Sequence, residues 1–151
     1  MSKRLLPLVP ADLAVGQVLP TPDCLTILCR SRIAAPPCPG CGHPSSRRHS
    51  SYPRRLADLL WQGRHVQVEV QVRRLRCGRP GCTYRIFIFA ERLPAVAGLH
   101  AQRTARLGTF QHHIGLAMGG KAGARLATHT ILPLASSTHR LLSFNDTSIP
   151  T

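Results

Sequence analysis

The sequence predicts an α+β fold, with a small antiparallel β domain followed by a short helical segment. Three observations support this prediction. Two short cysteine loops flank the middle of the chain, a strictly alternating valine segment lies between them, and beyond residue 91 the spacing of apolar residues changes to three or four. The predicted boundaries are 1–95 for the β domain, 96–143 for the helical segment and 144–151 for a divergent tail.

The two cysteine loops predict a metal site. They read Cys38-Pro-Gly-Cys41 and Cys77-Gly-Arg-Pro-Gly-Cys82. Zn²⁺ prefers four thiolates in a tetrahedron, and a short Gly/Pro-rich turn delivers two of them. We therefore expect Cys38, Cys41, Cys77 and Cys82 to bind zinc as a zinc ribbon; two disulfides or four unremarkable thiols are the alternatives.

The other possible ligands fit less well. Cys24 and Cys29 are five positions apart in an apolar segment, and an odd separation in a strand puts side chains on opposite faces. We expect both to be small core residues. Because four thiols already complete a tetrahedron, His43 and His49 are expected on the surface or beside the ligands.

The composition indicates a polyanionic partner. The 151 residues include 20 Lys plus Arg against 6 Asp plus Glu, a net charge of +14. Eighteen of the cations are arginines, which bind phosphate with two hydrogen bonds. DNA or RNA is the expected partner, and a merely solvated basic face is the alternative.

The chain is expected in the cytoplasm. Pro7, Pro10 and Asp12 interrupt the N-terminal apolar run, which a secretory signal would rarely tolerate. No apolar stretch approaches the ~18 residues that span a bilayer, so no membrane association is predicted. Cysteines without a signal peptide favour a reducing compartment.

The β domain has one clear strand. Val66, Val68, Val70 and Val72 alternate with polar residues and should share a buried face. Residues 86–89, Ile-Phe-Ile-Phe, should pair back on this strand as a hairpin. The preceding stretch, 42–62, is predicted to be a basic loop whose Arg47, Arg48, Arg54 and Arg55 reach DNA phosphates.

The helical segment should contain three short helices. The first runs from Thr104 to Gly119-Gly120 with apolar residues at helical spacing, the second covers 122–127, and the third begins near a Ser136 or Ser137 cap. A helix-turn-helix fits this arrangement; a helical hairpin that packs on the ribbon is the alternative. Arg125 would contact DNA backbone, and the third helix would present residues to bases: Ser136, Ser137, Thr138, His139 and Arg140.

These motifs, in order, resemble the N-terminal part of the ISL-three family of bacterial insertion-sequence transposases. The resemblance covers 5–127 and includes both cysteine loops, residues 49–63, Glu91-Arg-Leu-Pro94 and Ile114–Gly120. It implies a zinc-binding domain, a helix-turn-helix and recognition of double-stranded DNA at transposon terminal repeats. A homo-oligomer of the full-length parent is compatible with it.

Two departures from the family shape the functional expectation. Ile131 stands where the family's turn has glycine, and a β-branched residue resists positive φ. The family's catalytic domain with its Asp-Asp-Glu site is missing, and the six acids are scattered, so we expect a truncated transposase without enzymatic activity. Asp58 is interpreted as a salt-bridge partner of neighbouring Arg54 and Arg55.

Two other functions compete with DNA binding. One is a stand-alone zinc ribbon that binds RNA or a protein partner, which nothing in residues 1–95 excludes, although the helical segment and the family resemblance favour DNA. A small metal-dependent nuclease would need an open coordination position and a general base, and four thiolates leave no such position.

Overall fold

The computed structural model describes residues 9–131, with side chains described through residue 126. Five strands precede two helices, which confirms the α+β class. The strands are β1 (Leu13–Pro20), β2 (Cys24–Ser31), β3 (Arg48–Trp61), β4 (Arg64–Leu75) and β5 (Phe89–Ala90), and the helices are α1 (Ala105–Met118) and α2 (Gly120–Ile131).

The strands form one sheet in the order β1-β2-β4-β3, and β5 pairs with β4. The β3–β4 hairpin turns at Gln62 and Gly63, whose φ angles of 50° and 75° suit a tight two-residue turn. β4 lies between β3 and β2 and runs parallel to β2, so the sheet is mixed rather than wholly antiparallel. The sequence pattern marks strands but not their neighbours, so it could not reveal this parallel pair.

The predicted valine face forms the core. Val66, Val68, Val70 and Val72 are all at most 4% exposed, which confirms the alternation. They pack with Ile27 and Leu25 of β2, with Leu56 of β3, and with buried residues of the segment after β5: Leu93, Val96 and Ala97. The domain boundary predicted after residue 95 therefore falls inside a segment that contributes to this core.

The basic stretch after the first cysteine loop was wrongly predicted to be a loop. Residues 48–61 form β3, whose register with β4 pairs Tyr52 with Val72 and Leu56 with Val68. Pro53 weakened the strand pattern, yet an edge strand tolerates proline because one side needs no ladder hydrogen bonds. β3 is such an edge strand. Arg48, Arg54 and Arg55 therefore lie on a strand, and Arg47 directly precedes it.

The predicted hairpin after the second cysteine loop is shorter than expected. Only Phe89 and Ala90 pair with β4, opposite Leu75 and Arg74. Ile86, Phe87 and Ile88 follow a single 3-10 turn and are 77%, 62% and 38% exposed. An apolar run alone could not distinguish a strand from this exposed turn.

The first helix begins and ends as predicted. The Thr104 side chain caps it by accepting a hydrogen bond from the Leu107 amide. Leu107 is buried, whereas Phe110, Leu116 and Met118 are 44%, 70% and 48% exposed. Within the described part of the chain, the apolar side of α1 is thus covered only near its N-terminus.

The second helix is longer than the predicted 122–127. Gly119 joins it to α1 with φ 76° and ψ 155°, a conformation that is essentially restricted to glycine. Thr130 and Ile131, predicted to lie in a turn, belong to α2. Ile131 therefore has a helical backbone, and the positive φ expected for a glycine turn does not occur at this position. The third helix and its Ser136 or Ser137 cap lie outside the described residues.

Candidate metal centre and its basic surroundings

The first cysteine loop is a tight turn closed by backbone hydrogen bonds. The Cys38 amide donates to the His43 carbonyl at 2.9 Å, and the Gly42 amide donates to the Cys38 carbonyl at 2.8 Å. Gly42 has a φ of 71°, a conformation that costs glycine little. A side chain at Gly40 would lie 2.8 Å from the Tyr84 ring, so glycine there allows the second loop to approach closely.

The second cysteine loop is built in the same way. The Cys82 amide donates to the Arg79 carbonyl, Gly81 has a φ of 80°, and the Arg79 amide donates to the Cys77 sulfur at 3.4 Å. The Cys77 amide donates to the Tyr84 carbonyl at 2.7 Å. Two contacts join the loops across the sheet end: the Arg76 amide donates to the Arg47 carbonyl, and Ser45 Oγ donates to the Arg76 carbonyl.

The four sulfur atoms converge on one point. The Sγ atoms of Cys38 and Cys82 are 3.7 Å apart, those of Cys41 and Cys77 are 3.5 Å apart, and all four lie within 4.8 Å of one another. A tetrahedron with Zn–S bonds of ~2.3 Å has sulfur–sulfur edges of roughly 3.8 Å. The thiol set therefore fits zinc, and it is a closed site with four protein ligands.

The surroundings affect the thiols differently. The backbone N–H of His43 lowers the pKa of Cys41 to about 7, since a hydrogen bond to sulfur favours the thiolate. Desolvation by burial raises the pKa of Cys82 to about 12. Because zinc binds thiolates, loading the site near neutral pH must release the Cys82 proton.

The comparison with protein families supports this assignment. Residues 34–82 match the family model described as the zinc-finger of transposase IS204/IS1001/IS1096/IS1165. The matched segment contains both cysteine loops and the β3–β4 hairpin between them. It is similar to a transposase zinc finger. The match supports the predicted resemblance to the N-terminal part of an ISL-three-type transposase, and with the sulfur cluster it supports zinc as the cofactor.

Other comparisons add no relatives. Neither the curated proteins nor the solved structures contain a match to this chain. No helix among residues 9–131 is long and apolar enough to cross a membrane.

The side chains of Cys24, Cys29, His43 and His49 are not part of the sulfur cluster. Both cysteines are in β2, as predicted. Cys29 is a core residue, as expected, whereas Cys24 is half-buried and does not belong to the core cluster. Burial raises the pKa of the Cys29 thiol to about 11, which keeps it protonated and inert. His43 and His49 are exposed, and His49 contacts the Ser50 hydroxyl.

The cysteine loops carry a concentration of positive charge that sequence reasoning found only in part. We define the zinc region as residues 34–53 and 74–90, which meet at this end of the sheet. It contains no acidic residue. It contains six arginines, all exposed: Arg47, Arg48, Arg74, Arg76, Arg79 and Arg85.

Four of these six arginines were missed. Arg47 and Arg48 were predicted to contact DNA, whereas Arg74, Arg76, Arg79 and Arg85 were not. The available signal was the absence of Asp and Glu from both sequence segments. The two segments are far apart in sequence and become neighbours only when β3 pairs with β4, so their shared lack of acidic residues was not recognised.

The other two predicted strand arginines have partners. Arg54 donates to the carbonyls of Gly98 and Ala101 at 2.5 and 2.7 Å, so it fixes the loop that leads to α1. Arg55 is largely exposed and pairs with Glu69 at 3.0 Å. Arg125 is exposed on α2. Ser136, Ser137, Thr138, His139 and Arg140 lie outside the described residues.

Asp58 has a different partner from the one predicted. It is buried and pairs with Arg106 of α1, and its Oδ1 also accepts a hydrogen bond from Thr104 at 2.7 Å. Its interpretation as a salt-bridge residue was right, but Arg54 and Arg55 are not the partners. The three groups are 46 and 48 residues apart in sequence, which explains why a local reading failed.

Proposed function

We propose that this chain binds double-stranded DNA at transposon ends through its zinc region, as part of DNA transposition. The observation that carries the proposal is the set of six exposed arginines around a four-thiol metal site, in a region without a single acidic side chain. Such a surface attracts a polyanion, and the family match associates this scaffold with transposases.

The ion pairs among the described residues leave the zinc-region arginines unpaired. Glu69, Glu91 and Asp58 each pair with an arginine outside the zinc region: Arg55, Arg73 and Arg106. Within residues 9–131, none of the six zinc-region arginines pairs with a carboxylate. Their charge is therefore available for phosphates, and each contact would release counterions from the DNA.

Residues outside the zinc region extend the proposed interface. Arg125 and the strand residues Arg54 and Arg55 remain proposed backbone contacts. Residues 136–140 remain proposed base contacts of a helix-turn-helix. Because the described part of the chain carries exposed arginines without carboxylate partners, we expect affinity to depend mainly on salt and weakly on sequence.

We propose no catalysis for this chain. Four thiolates leave zinc without an open position for water or substrate. Among residues 9–131, the four cysteines are the only group of three or more side chains suited to holding a metal. We place the protein in the cytoplasm, where a thiol-rich chain stays reduced.

The proposal is tested by titrating the zinc-loaded chain against terminal-repeat duplex, scrambled duplex, single-stranded RNA and an acidic protein of similar size. Binding of both duplexes with steep salt dependence and little discrimination supports it. Preference for single-stranded RNA, or binding of the acidic protein alone, would favour the stand-alone ribbon. Strong discrimination lost on Arg140→Ala would show base readout by the C-terminal segment. Incubation of the duplexes with Mg²⁺ should give no cleavage.

A further inference from the structure

A small open cavity lies beside the exposed turn of the zinc region. Its volume is about 340 Å³, and its walls are Tyr52, Arg74, Ile88 and Ala90. We call it the Tyr52 notch. Its size is at the lower end of small-ligand sites, which span ~300–1,000 Å³. One wall is aromatic, one is a guanidinium and two are apolar.

The arginine of the notch is held in a stacked position. The Arg74 guanidinium carbon lies 4.8 Å from the centre of the Tyr52 ring, a cation–π arrangement. Arg74 is exposed, and no acidic residue occurs in the zinc region around it. Because the guanidinium beside the Tyr52 ring belongs to an exposed residue, a flat partner can reach it from solvent.

The neighbouring turn adds an apolar edge. Ile88 lines the notch, and Phe87 and Ile86 before it are 62% and 77% exposed. Exposed large apolar side chains in adjacent positions indicate an interaction site. Here they lie among arginines that select a polyanion, so the partner must combine negative charge with flat apolar faces. Nucleic acid bases between phosphates meet both requirements.

We propose that the Tyr52 notch binds an unstacked nucleobase of the DNA that the zinc region holds. The base stacks on the free face of Arg74 and contacts Ile88, while neighbouring arginines bind the flanking phosphates. Bases stack on arginine planes and aromatic rings in the same way in single-stranded recognition. The proposal rests on the DNA binding proposed above and adds an unpaired base as the preferred feature.

The test compares two duplexes that differ in a single base. Both carry a short 3′ overhang; in one, an overhang position is 2-aminopurine, and in the other the same position is abasic. The phosphates are identical, so the electrostatic contribution cancels. We expect the zinc-loaded chain to bind the base-bearing duplex about tenfold more tightly and to change the 2-aminopurine fluorescence.

Three variants locate the effect. Arg74→Lys keeps the charge but loses the planar stacking surface, so the tenfold preference should disappear while the salt dependence stays. Ile88→Ser should reduce the preference, and Arg30→Lys, on exposed β2 surface outside the zinc region, should retain it. Zinc content confirms that each variant is folded.

The outcomes separate this inference from the proposed function. Equal affinity for the two duplexes, or a preference that survives Arg74→Lys, would overturn the notch proposal. The exposed apolar turn would then be better explained as a contact surface for a protein partner. If both duplexes bind equally with steep salt dependence, DNA binding by the zinc region still stands. If neither duplex binds, both proposals fail.

Discussion

The zinc region and the rest of the sheet are stabilised by different means. Around the remainder of the sheet, thirteen buried residues from the strands and adjoining segments form one apolar cluster, and three carboxylates pair with arginines. In the zinc region, the buried cluster consists only of Cys38, Leu75, Cys77 and Phe89. A core that small cannot offset the cost of ordering its loops, so metal must supply the difference.

This difference has a functional consequence. Outside the zinc region, ion pairs with carboxylates neutralise Arg55, Arg73 and Arg106, whereas a zinc site stabilises the loops without using any arginine. The zinc region can therefore keep six exposed arginines without carboxylate partners. Structural zinc thus allows a strongly positive surface on a small domain.

Removal of zinc should have the largest effect, and it should be confined to the zinc region. Structural zinc contributes ~10–16 kcal/mol of apparent binding energy in zinc-finger peptides. We expect one zinc per chain, lost in Cys77→Ser and Cys38→Ser. Hydrogen exchange should show faster exchange of the Cys77 and Arg76 amides, with β2 and the centre of β4 retaining protection. Full zinc occupancy in Cys77→Ser would contradict the assignment.

The buried ion pair should be the next most sensitive feature. Arg106→Leu leaves the Asp58 carboxylate buried without its charged partner, which costs ~3–5 kcal/mol. Arg55→Leu breaks the largely exposed pair with Glu69 and should cost only ~0.2–1 kcal/mol. Denaturant unfolding of the two variants measures the contrast. Equal losses would mean that Asp58 is not desolvated as the structure shows.

The connection between α1 and α2 should be destabilised by a single methyl group added at Gly119. Gly119→Ala forces a side chain into the conformation with φ 76° and ψ 155°, at a cost of ~1–3 kcal/mol. Gly115→Ala is the matched control, because its added Cβ would meet no atom within 4 Å. Alanine there should hold or raise helix content. Circular dichroism on heating distinguishes the two variants. Equal melting temperatures would show that the backbone conformation of Gly119 does not matter for stability.

The smallest effect is expected from substituting Cys24, which the sequence offered as an alternative zinc ligand. Cys24 is half-buried in β2 and is not among the four clustered thiols, and its backbone carbonyl accepts a hydrogen bond from the Thr21 hydroxyl. Cys24→Ser should keep one zinc per chain and change stability by less than about 0.5 kcal/mol. Loss of zinc from this variant would show that the ligand set is wrong.

The features that could be predicted from the sequence are local. Each cysteine loop is a few residues long, and the valine alternation needs only one strand. The features that were missed depend on distant segments. β3 owes its pairing to β4 despite Pro53, Asp58 meets Arg106 across 48 residues, and the arginines of the zinc region come from two segments. A pattern within one segment contains no information about which segment lies opposite.

The central claim is that DNA is bound by the zinc region rather than by the net charge of the whole chain. The most direct test measures the slope of log affinity against log salt for two paired variants. Arg76→Ala with Arg79→Ala removes two zinc-region arginines, while Arg30→Ala with Arg92→Ala removes two exposed arginines outside it. At ~0.9 per phosphate contact, the first pair should lower the slope by about 1.8 and the second should leave it unchanged. Equal changes in both pairs, or no change in the first, would contradict the claim.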